Sequence, residues 1–359
     1  MIYIQPMEKS DIASHMQQMA ALIRQHPLKQ LFWECTLRCN LSCLHCGSDC
    51  RMATDSKDMP LKDFLQVLDG LKSHIVTHNV LVNTVGGEPL VRKDISQCGR
   101  EIRKRGFRWG MVSNGYLLSR EKLDELLDAG LNTIGISLDG LEDTHNWLRN
   151  NEKSFSRAID AIDNLSQQNK AVWDVITCVN HKNIHQLYDL RDLLISHGVK
   201  MWRCTTIFPQ GRAADNNDLQ LSPSEYKSLM EFIVETRAEG RIALNYSCEA
   251  FVGDYEGKVR DYLFGCHAGL TVATILSNGN ISGCLSVRSK FDQGNIYTDD
   301  FWNVWENRFE MYRNPKWKLK GACKSCPSFL RCLGGGMHLR DDDGDLMICH
   351  LNKLKDAGR

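Results

Sequence analysis

The chain has 359 residues, with 44 basic and 44 acidic side chains and a formal net charge of zero. Balanced charge argues against a nucleic-acid partner held by phosphate neutralisation, and no basic run is long enough to hold a membrane surface. The longest apolar stretches are short and interrupted, so no membrane-inserted helix is expected. The length allows one large domain plus a smaller one. The first ten residues include acidic and polar ones where a secretory signal needs an apolar core, which points to the cytoplasm. Fifteen cysteines in such a reducing compartment indicate metal or redox chemistry before disulfides. One group lies at 35–50 and another at 248–349, with only Cys98, Cys178 and Cys204 between.

In chain order, residues 1–28 read as a helical leader with apolar Met16, Met19, Ala20 and Ile23 and a break at Pro27. Across residues 29–240, short apolar runs alternate with helical patterns. Strands are predicted at Leu31–Trp33, Val80–Thr84, Arg108–Val112, Thr133–Ser137, Trp173–Val179 and Met201–Thr206. Helices are predicted near Leu61–Val76, Asp94–Arg105, Ser119–Ala129, Phe155–Gln168, Ile184–Ser196 and Pro223–Ala238. Gly70, Gly106, Gly130 and Gly198 fall at or near helix ends. Regular alternation implies an α/β fold with a parallel sheet and right-handed crossovers. Six units fit a partial (β/α)6, TIM-like barrel, in which chemistry gathers at the C-terminal ends of the strands.

Polar motifs do follow the strands. After the first comes Cys39-Asn40-Leu41-Ser42-Cys43-Leu44-His45-Cys46. A loop turning back after a strand can bring three thiolates so spaced onto three irons of one cubane cluster. Four cysteines are usual, so a triplet leaves one iron open to a small molecule. A zinc loop completed by Cys35 or Cys50 is the competing reading. After the second strand comes Gly86-Gly87-Glu88-Pro89, where glycines permit close backbone approach and the glutamate can accept hydrogen bonds from an ammonium group. Ser113-Asn114-Gly115 follows the third strand and is a turn by composition. Ser137-Leu138-Asp139-Gly140 and then Arg149 follow the fourth, the arginine being either a carboxylate-binding fork or a solvated helix residue. Asn180 follows the fifth. The sixth ends in Ile207-Phe208-Pro209-Gln210-Gly211-Arg212, a loop leaving the barrel. Cys204 on the sixth strand is either a small buried hydrophobe or a thiol that returns a hydrogen atom to substrate.

Residues 241–359 form a second, cysteine-rich domain in which the helix period fades. Cys266 and Cys284 flank Gly279, and Cys323, Cys326, Cys332 and Cys349 make a complete four-thiolate set. Zinc or iron fits such a set by spacing alone.

Cys39, Cys43 and Cys46, with the Gly86-Gly87-Glu88-Pro89 motif, resemble the signature of the radical S-adenosylmethionine (SAM) enzymes. In that family the open iron of a 4Fe-4S cluster chelates the amino and carboxylate groups of SAM, and a 5′-deoxyadenosyl radical is released. The resemblance implies that Gly86, Gly87 and Glu88 hold the SAM amino group, that Ser113 and Asn114 contact SAM, and that Ser137 and Asp139 lie near the ribose. It further implies that Arg149 pairs with the SAM carboxylate and that Asn180 faces adenine or ribose. His45 stands where the family often has an aromatic residue. The C-terminal layout is similar to the SPASM extension, which implies one or two auxiliary iron–sulfur clusters, one on Cys323, Cys326, Cys332 and Cys349. For the other, Cys266 and Cys284 need a partner, because Gly336 stands where the pattern has a cysteine. Cys248 is the nearest third thiol, with His267 or His338 able to close the site; His338 and His350 otherwise read as packing residues.

Leu31-Phe32-Trp33-Glu34-Cys35-Thr36, Gly47-Ser48-Asp49-Cys50, Asn146-Trp147-Leu148-Arg149, Gly253-Asp254-Tyr255-Glu256-Gly257 and Gly336-Met337-His338-Leu339-Arg340 are most similar to the radical SAM/lipoprotein system branch. The expected activity is oxidative modification of a peptide or protein side chain, as a crosslink or side-chain oxidation, with a flavodoxin- or ferredoxin-type electron donor. Redox-neutral epimerisation using Cys178 or Cys204, small-molecule modification by the same radical, and a zinc-stabilised binding protein are the alternatives.

Overall fold

Each of the six apolar runs becomes a strand: β1 (Gln30–Thr36), β2 (Leu81–Gly86), β3 (Arg108–Ser113), β4 (Leu131–Ser137), β5 (Val172–Val179) and β6 (Met201–Thr206). They pair in parallel in sequence order. This is a computed structural model, and it describes residues 9–247, 250–287 and 290–358. A leader helix, α1 (Lys9–Gln25), precedes the sheet. Helices α2 (Leu61–Leu71), α3 (Ile95–Lys104), α4 (Arg120–Asp128), α5 (Glu142–Arg149), α6 (Ser154–Ser166), α7 (Leu187–Ser196) and α8 (Pro223–Glu239) lie between or after the strands. The result is a partial barrel in which buried strand residues meet the helices. Trp33 of β1 stacks on Phe64 of α2 at 4.2 Å, and Trp202 of β6 meets Phe232 of α8 edge-on at 5.8 Å. Burying rings of this size supplies much of the drive to close sheet on helix.

Two features go beyond the sequence reading. The helix α5 carries Arg149 in its last turn, after an acidic first turn of Glu142 and Asp143, and is capped by left-handed Asn150. The sheet also extends past both ends of the six-strand unit. Strand β7 (Ala243–Tyr246) pairs in parallel with β6. On the other side, β8 (Val272–Ile275) pairs in parallel with β1 and continues through antiparallel β9 (Asn280–Ser282) to β10 (Gly294–Asn295). The strand that carries the cysteine triplet is therefore flanked on both sides.

The C-terminal segment holds short helices α9 (Phe301–Asn307), α10 (Glu310–Arg313), α11 (Phe329–Cys332) and α12 (His350–Asp356) joined by tight turns. The last of these helices, α12, lies on α8, where the His350 ring stacks on Tyr226 at 4.9 Å and Lys353 Nζ donates to the Leu221 carbonyl at 2.9 Å. The leader α1 reaches the same region, through a 2.8 Å hydrogen bond between His15 Nε2 and the Phe264 carbonyl. Among the described residues, no helix is long and apolar enough to cross a membrane.

Candidate active site at the barrel mouth

The loop after β1 is fastened from the far side of the barrel. Arg212, beyond β6, donates from Nε to the Cys43 carbonyl at 2.8 Å and from Nη1 to the Cys50 carbonyl at 3.1 Å. The Leu44 N–H donates to the Leu148 carbonyl of α5 at 2.8 Å. Each sulfur of the triplet then faces a donor from a different segment: Asn114 Nδ2 at 3.9 Å from Cys39, Arg149 Nη1 at 3.7 Å from Cys43, and the Cys50 N–H at 3.4 Å from Cys46. Burial pushes Cys39 up to about 12 and raises Cys43, whereas Cys50 beside it holds Cys46 below the ordinary thiol range. Donors aimed at sulfur favour the thiolate, the form that ligates metal. Cys50 packs in the same pocket with its thiol on the Ser48 carbonyl at 3.8 Å, while Cys35 lies in the barrel core.

The glycines after β2 are required by the chain itself. A Cβ on Gly86 would lie 2.1 Å from the Thr36 carbonyl oxygen, and one on Gly87 would lie 2.1 Å from that of Arg38. That contact lets the Gly87 and Glu88 N–H groups donate to the same two carbonyls at 2.8 and 2.9 Å. Glu88 then staples the next loop, its carboxylate accepting from Ser113 Oγ at 2.9 Å and from the N–H groups of Asn114 and Leu90 at 2.7 and 3.1 Å. Asn114 continues the chain of contacts to Asn40 Oδ1 at 2.9 Å.

After β4, Asp139 is wholly buried and its carboxylate is engaged. Arg149 Nε and Nη2 reach Oδ2 at 2.7 and 2.6 Å, and the Cys178 N–H reaches Oδ1 at 2.9 Å. Burial would raise this carboxyl, but Arg149 and then His45 outweigh burial and hold it below its usual range. Arg149 is thus buried rather than solvated, and its first partner is Asp139. The imidazole of His145 accepts the Asp139 N–H at Nδ1 (3.0 Å), and Asn183 Nδ2 donates to the Asp139 carbonyl at 2.6 Å. The Asn180 amide is spent within its own loop, on the Cys178 carbonyl at 3.0 Å and the Lys182 N–H at 2.9 Å. Ser137 ends β4, half-buried.

His45, Asp139 and Cys178 bring their ligand atoms within 4.8 Å of one another. With Arg149 already on Asp139, a cation there would meet a fixed positive charge. Two buried polar atoms of the loop after β1 have no hydrogen-bond partner, Asn40 Nδ2 and His45 Nδ1. Orphans of this kind are rare in folded proteins, and a polar ligand satisfies them. The residues present therefore fit a cluster that binds a polar cofactor.

Cys204 is elsewhere. It is wholly buried on the face of β6 that also carries Trp202, beneath α8, because strand side chains alternate between the faces. Of its two readings, this burial favours the small buried hydrophobe, and Cys178 is the thiol at the mouth. Sequence reasoning passed over His145, Asn183 and Arg212 as partners of the site. The first two act through contacts with Asp139, and neither residue stands in a motif with a spacing to read.

In the C-terminal segment, Cys323, Cys326, Cys332 and Cys349 all line one largely apolar pocket, with Phe251 and Leu339 among its walls. Burial raises Cys349 and takes Cys332 to about 11, and Arg340 Nη2 lies 3.6 Å from the Cys323 sulfur. Four thiols converging on one pocket fit a four-thiolate group. Cys266 opens on an adjoining pocket shared with Cys332 and Lys318. Cys284 is half-buried against the core, and Cys248 lies outside the described residues. His338, beside Gly336, packs edge-on against Phe208 at 5.0 Å, and burial lowers its pKa to about 4. His267 pairs with Thr271 Oγ1 at 3.1 Å.

Residues 33–194 match the radical SAM superfamily, and residues 266–327 match an iron–sulfur cluster-binding domain, SPASM. The chain is 30% identical over 313 residues to the mycofactocin maturase MftC of Mycolicibacterium smegmatis, covering 86% of this chain and 77% of that protein. It is 26% identical over 322 residues to the AdoMet-dependent heme synthase of Methanosarcina barkeri, covering 84% and 89%. Among solved structures, native anSMEcpe with bound AdoMet and Cp18Cys peptide shares the fold at a TM-score of 0.70, over 92% of this chain and 95% of that one, with 19% sequence identity.

Proposed function

The chain belongs to the radical SAM superfamily, and from that premise we propose that it matures a peptide or protein by taking a hydrogen atom from one of its side chains. It is a radical SAM enzyme whose cofactors are SAM, a 4Fe-4S cluster and auxiliary iron–sulfur clusters. In our reading Cys39, Cys43 and Cys46 hold the first cluster, and Cys323, Cys326, Cys332 and Cys349 hold an auxiliary one. When bound, the first cluster with SAM supplies a 5′-deoxyadenosyl radical, and an auxiliary cluster supplies an electron acceptor or a ligand for substrate.

The chain's own residues prepare that chemistry. Asn114, Arg149 and the Cys50 N–H offset negative charge on the three sulfurs. Glu88, with Ser113 and Asn114, locks the second and third loops, so the backbone oxygens around Gly86 and Gly87 are left to receive an ammonium group. Asp139 fixes Nε and Nη2 of Arg149 and leaves Nη1 for the sulfur and an incoming carboxylate. Asn40 Nδ2 and His45 Nδ1 offer polar atoms to the cofactor. Cys178, at the mouth, is the thiol available to a redox-neutral variant of the reaction.

The observation that carries the peptide reading is the likeness to a maturase across 86% of the chain. The likeness to a heme synthase over 84% of the chain favours a second reading, a tetrapyrrole substrate. A flavodoxin- or ferredoxin-type donor and a reducing cytoplasm suit either.

The test is anaerobic turnover of the purified protein with SAM and a reductant. Formation of 5′-deoxyadenosine, lost in the triple Cys39→Ala, Cys43→Ala, Cys46→Ala variant, is the expected result. Supplied with a short precursor peptide encoded beside its gene, the enzyme is expected to remove two hydrogens. No mass change with solvent deuterium uptake would mean epimerisation. A peptide left unaltered while an iron-porphyrin precursor is converted would replace the peptide reading with the tetrapyrrole one.

A further inference from the structure

Lys318 is 3% exposed, and among the described residues no carboxylate pairs with it. A buried ammonium group is normally paired, because leaving water costs it several kcal/mol. Its position supplies the reason. Lys318 lines the pocket that Cys266 and Cys332 share, and Cys332 also lines the four-thiol pocket. Its electrostatic neighbours are Cys266, Arg340, Cys332 and Cys323. The stem is fixed, since a Cβ on Gly334 would come within 2.9 Å of Lys318 Cβ and Cδ.

Arg340 repeats the pattern. It is 2% exposed and forms no ion pair among the described residues. Its Nη atoms go to the Gly344 and Gly334 carbonyls and the Cys323 sulfur, and its Nε has no partner. Both cations stand over Trp317, at 5.8 and 5.5 Å. Two buried positive charges therefore have sulfur, and no carboxylate, as their anionic neighbours. Protonated thiols do not compensate them, but thiolates ligating iron do.

We propose that Lys318 is the counter-charge of the sulfur-ligated group in the four-thiol pocket, acting from beside Cys332, and that it sets how readily that group is reduced. The proposal rests on the reading of this segment as an auxiliary-cluster domain. Reduction adds negative charge, so a fixed ammonium beside the pocket favours the reduced form.

The test uses the full-length holoprotein, purified and reconstituted without oxygen, as wild type, Lys318→Met and Lys318→Arg. Iron content and redox titration followed by electron paramagnetic resonance are measured on each. Lys318→Met is expected to keep its iron and to disfavour reduction of the auxiliary cluster in the four-thiol pocket by tenfold or more, 59 mV for one electron. Lys318→Arg is expected to stay near wild type, and the cluster on Cys39, Cys43 and Cys46 is expected to be unmoved in both. Unchanged auxiliary potentials in a fully loaded Lys318→Met protein overturn the proposal. If Lys318→Met loses auxiliary iron, retention by Lys318→Arg supports the charge role, and loss in both overturns it by making shape the requirement. Wild-type protein holding iron at the barrel site alone would instead sink the auxiliary-cluster reading itself.

Discussion

Arg149, in the last turn of α5, grips Asp139, just beyond β4, through two nitrogens at 2.6 and 2.7 Å, with its third pointing at the Cys43 sulfur. A buried ion pair adds little net stability, but removing one partner strands the other charge. Arg149→Met is therefore expected to destabilise the protein by about 3–5 kcal/mol. The double variant Arg149→Met, Asp139→Leu should recover part of that loss. Urea unfolding of the four proteins of this cycle measures the coupling, and additive losses would show that the two side chains act independently.

Glu88 accepts from three donors. Glu88→Gln keeps the shape but turns one acceptor into a donor facing another donor. The expected cost is about 1–3 kcal/mol for each group left unsatisfied. Looser loops after β2 and β3 should also weaken SAM binding, read as a higher dissociation constant in equilibrium dialysis.

How much of this site was legible in the sequence follows from where the signals lie. The triplet, Gly86-Gly87-Glu88-Pro89 and Ser113-Asn114 are local strings, and each sits at the end of a strand marked by its own apolar run. The partners were not legible. Glu88 and Asp139 were read as groups facing the cofactor, but burial commits their oxygens to neighbouring loops, and only the folded chain brings those donors near. β8 gave no local signal as a partner of β1, since four residues alternate too briefly to reveal a pairing across some 240 positions. The face taken by Cys204 was likewise open, because both faces of a barrel strand are covered.

His145 supplies a pH dependence. Burial, and then Arg149, lower its pKa to about 3. In the unfolded chain a histidine titrates near 6.5, so between these values the unfolded state binds one more proton. Stability is thus full above the unfolded value and is lost as pH falls through the interval, by up to about 1.4 kcal/mol per pH unit. His145→Asn keeps an acceptor for the Asp139 N–H without the titration. Its unfolding free energy should fall less steeply than wild type between pH 6.5 and pH 5, measured in urea.

Cys323→Ala and Cys349→Ala should each cost roughly four irons per chain, the content of one four-thiolate cluster. The barrel cluster should persist, with 5′-deoxyadenosine still formed when SAM is supplied without substrate. Iron analysis beside that product separates the two sites. Zinc in place of the missing iron in wild type would reassign the pocket.

The pairing of β1 with β8 bears on how the protein is made. Gln30 finds its neighbour Val272 only after most of the chain has left the ribosome. Until then the strand leading into Cys39, Cys43 and Cys46 has a bare edge on one side, a surface that invites association with other chains. Delivery of iron and sulfide to that loop during synthesis would meet an unfinished floor. Maturation of the enzyme is thereby tied to completed translation, and a fragment ending near residue 240 should precipitate rather than survive as a smaller catalyst.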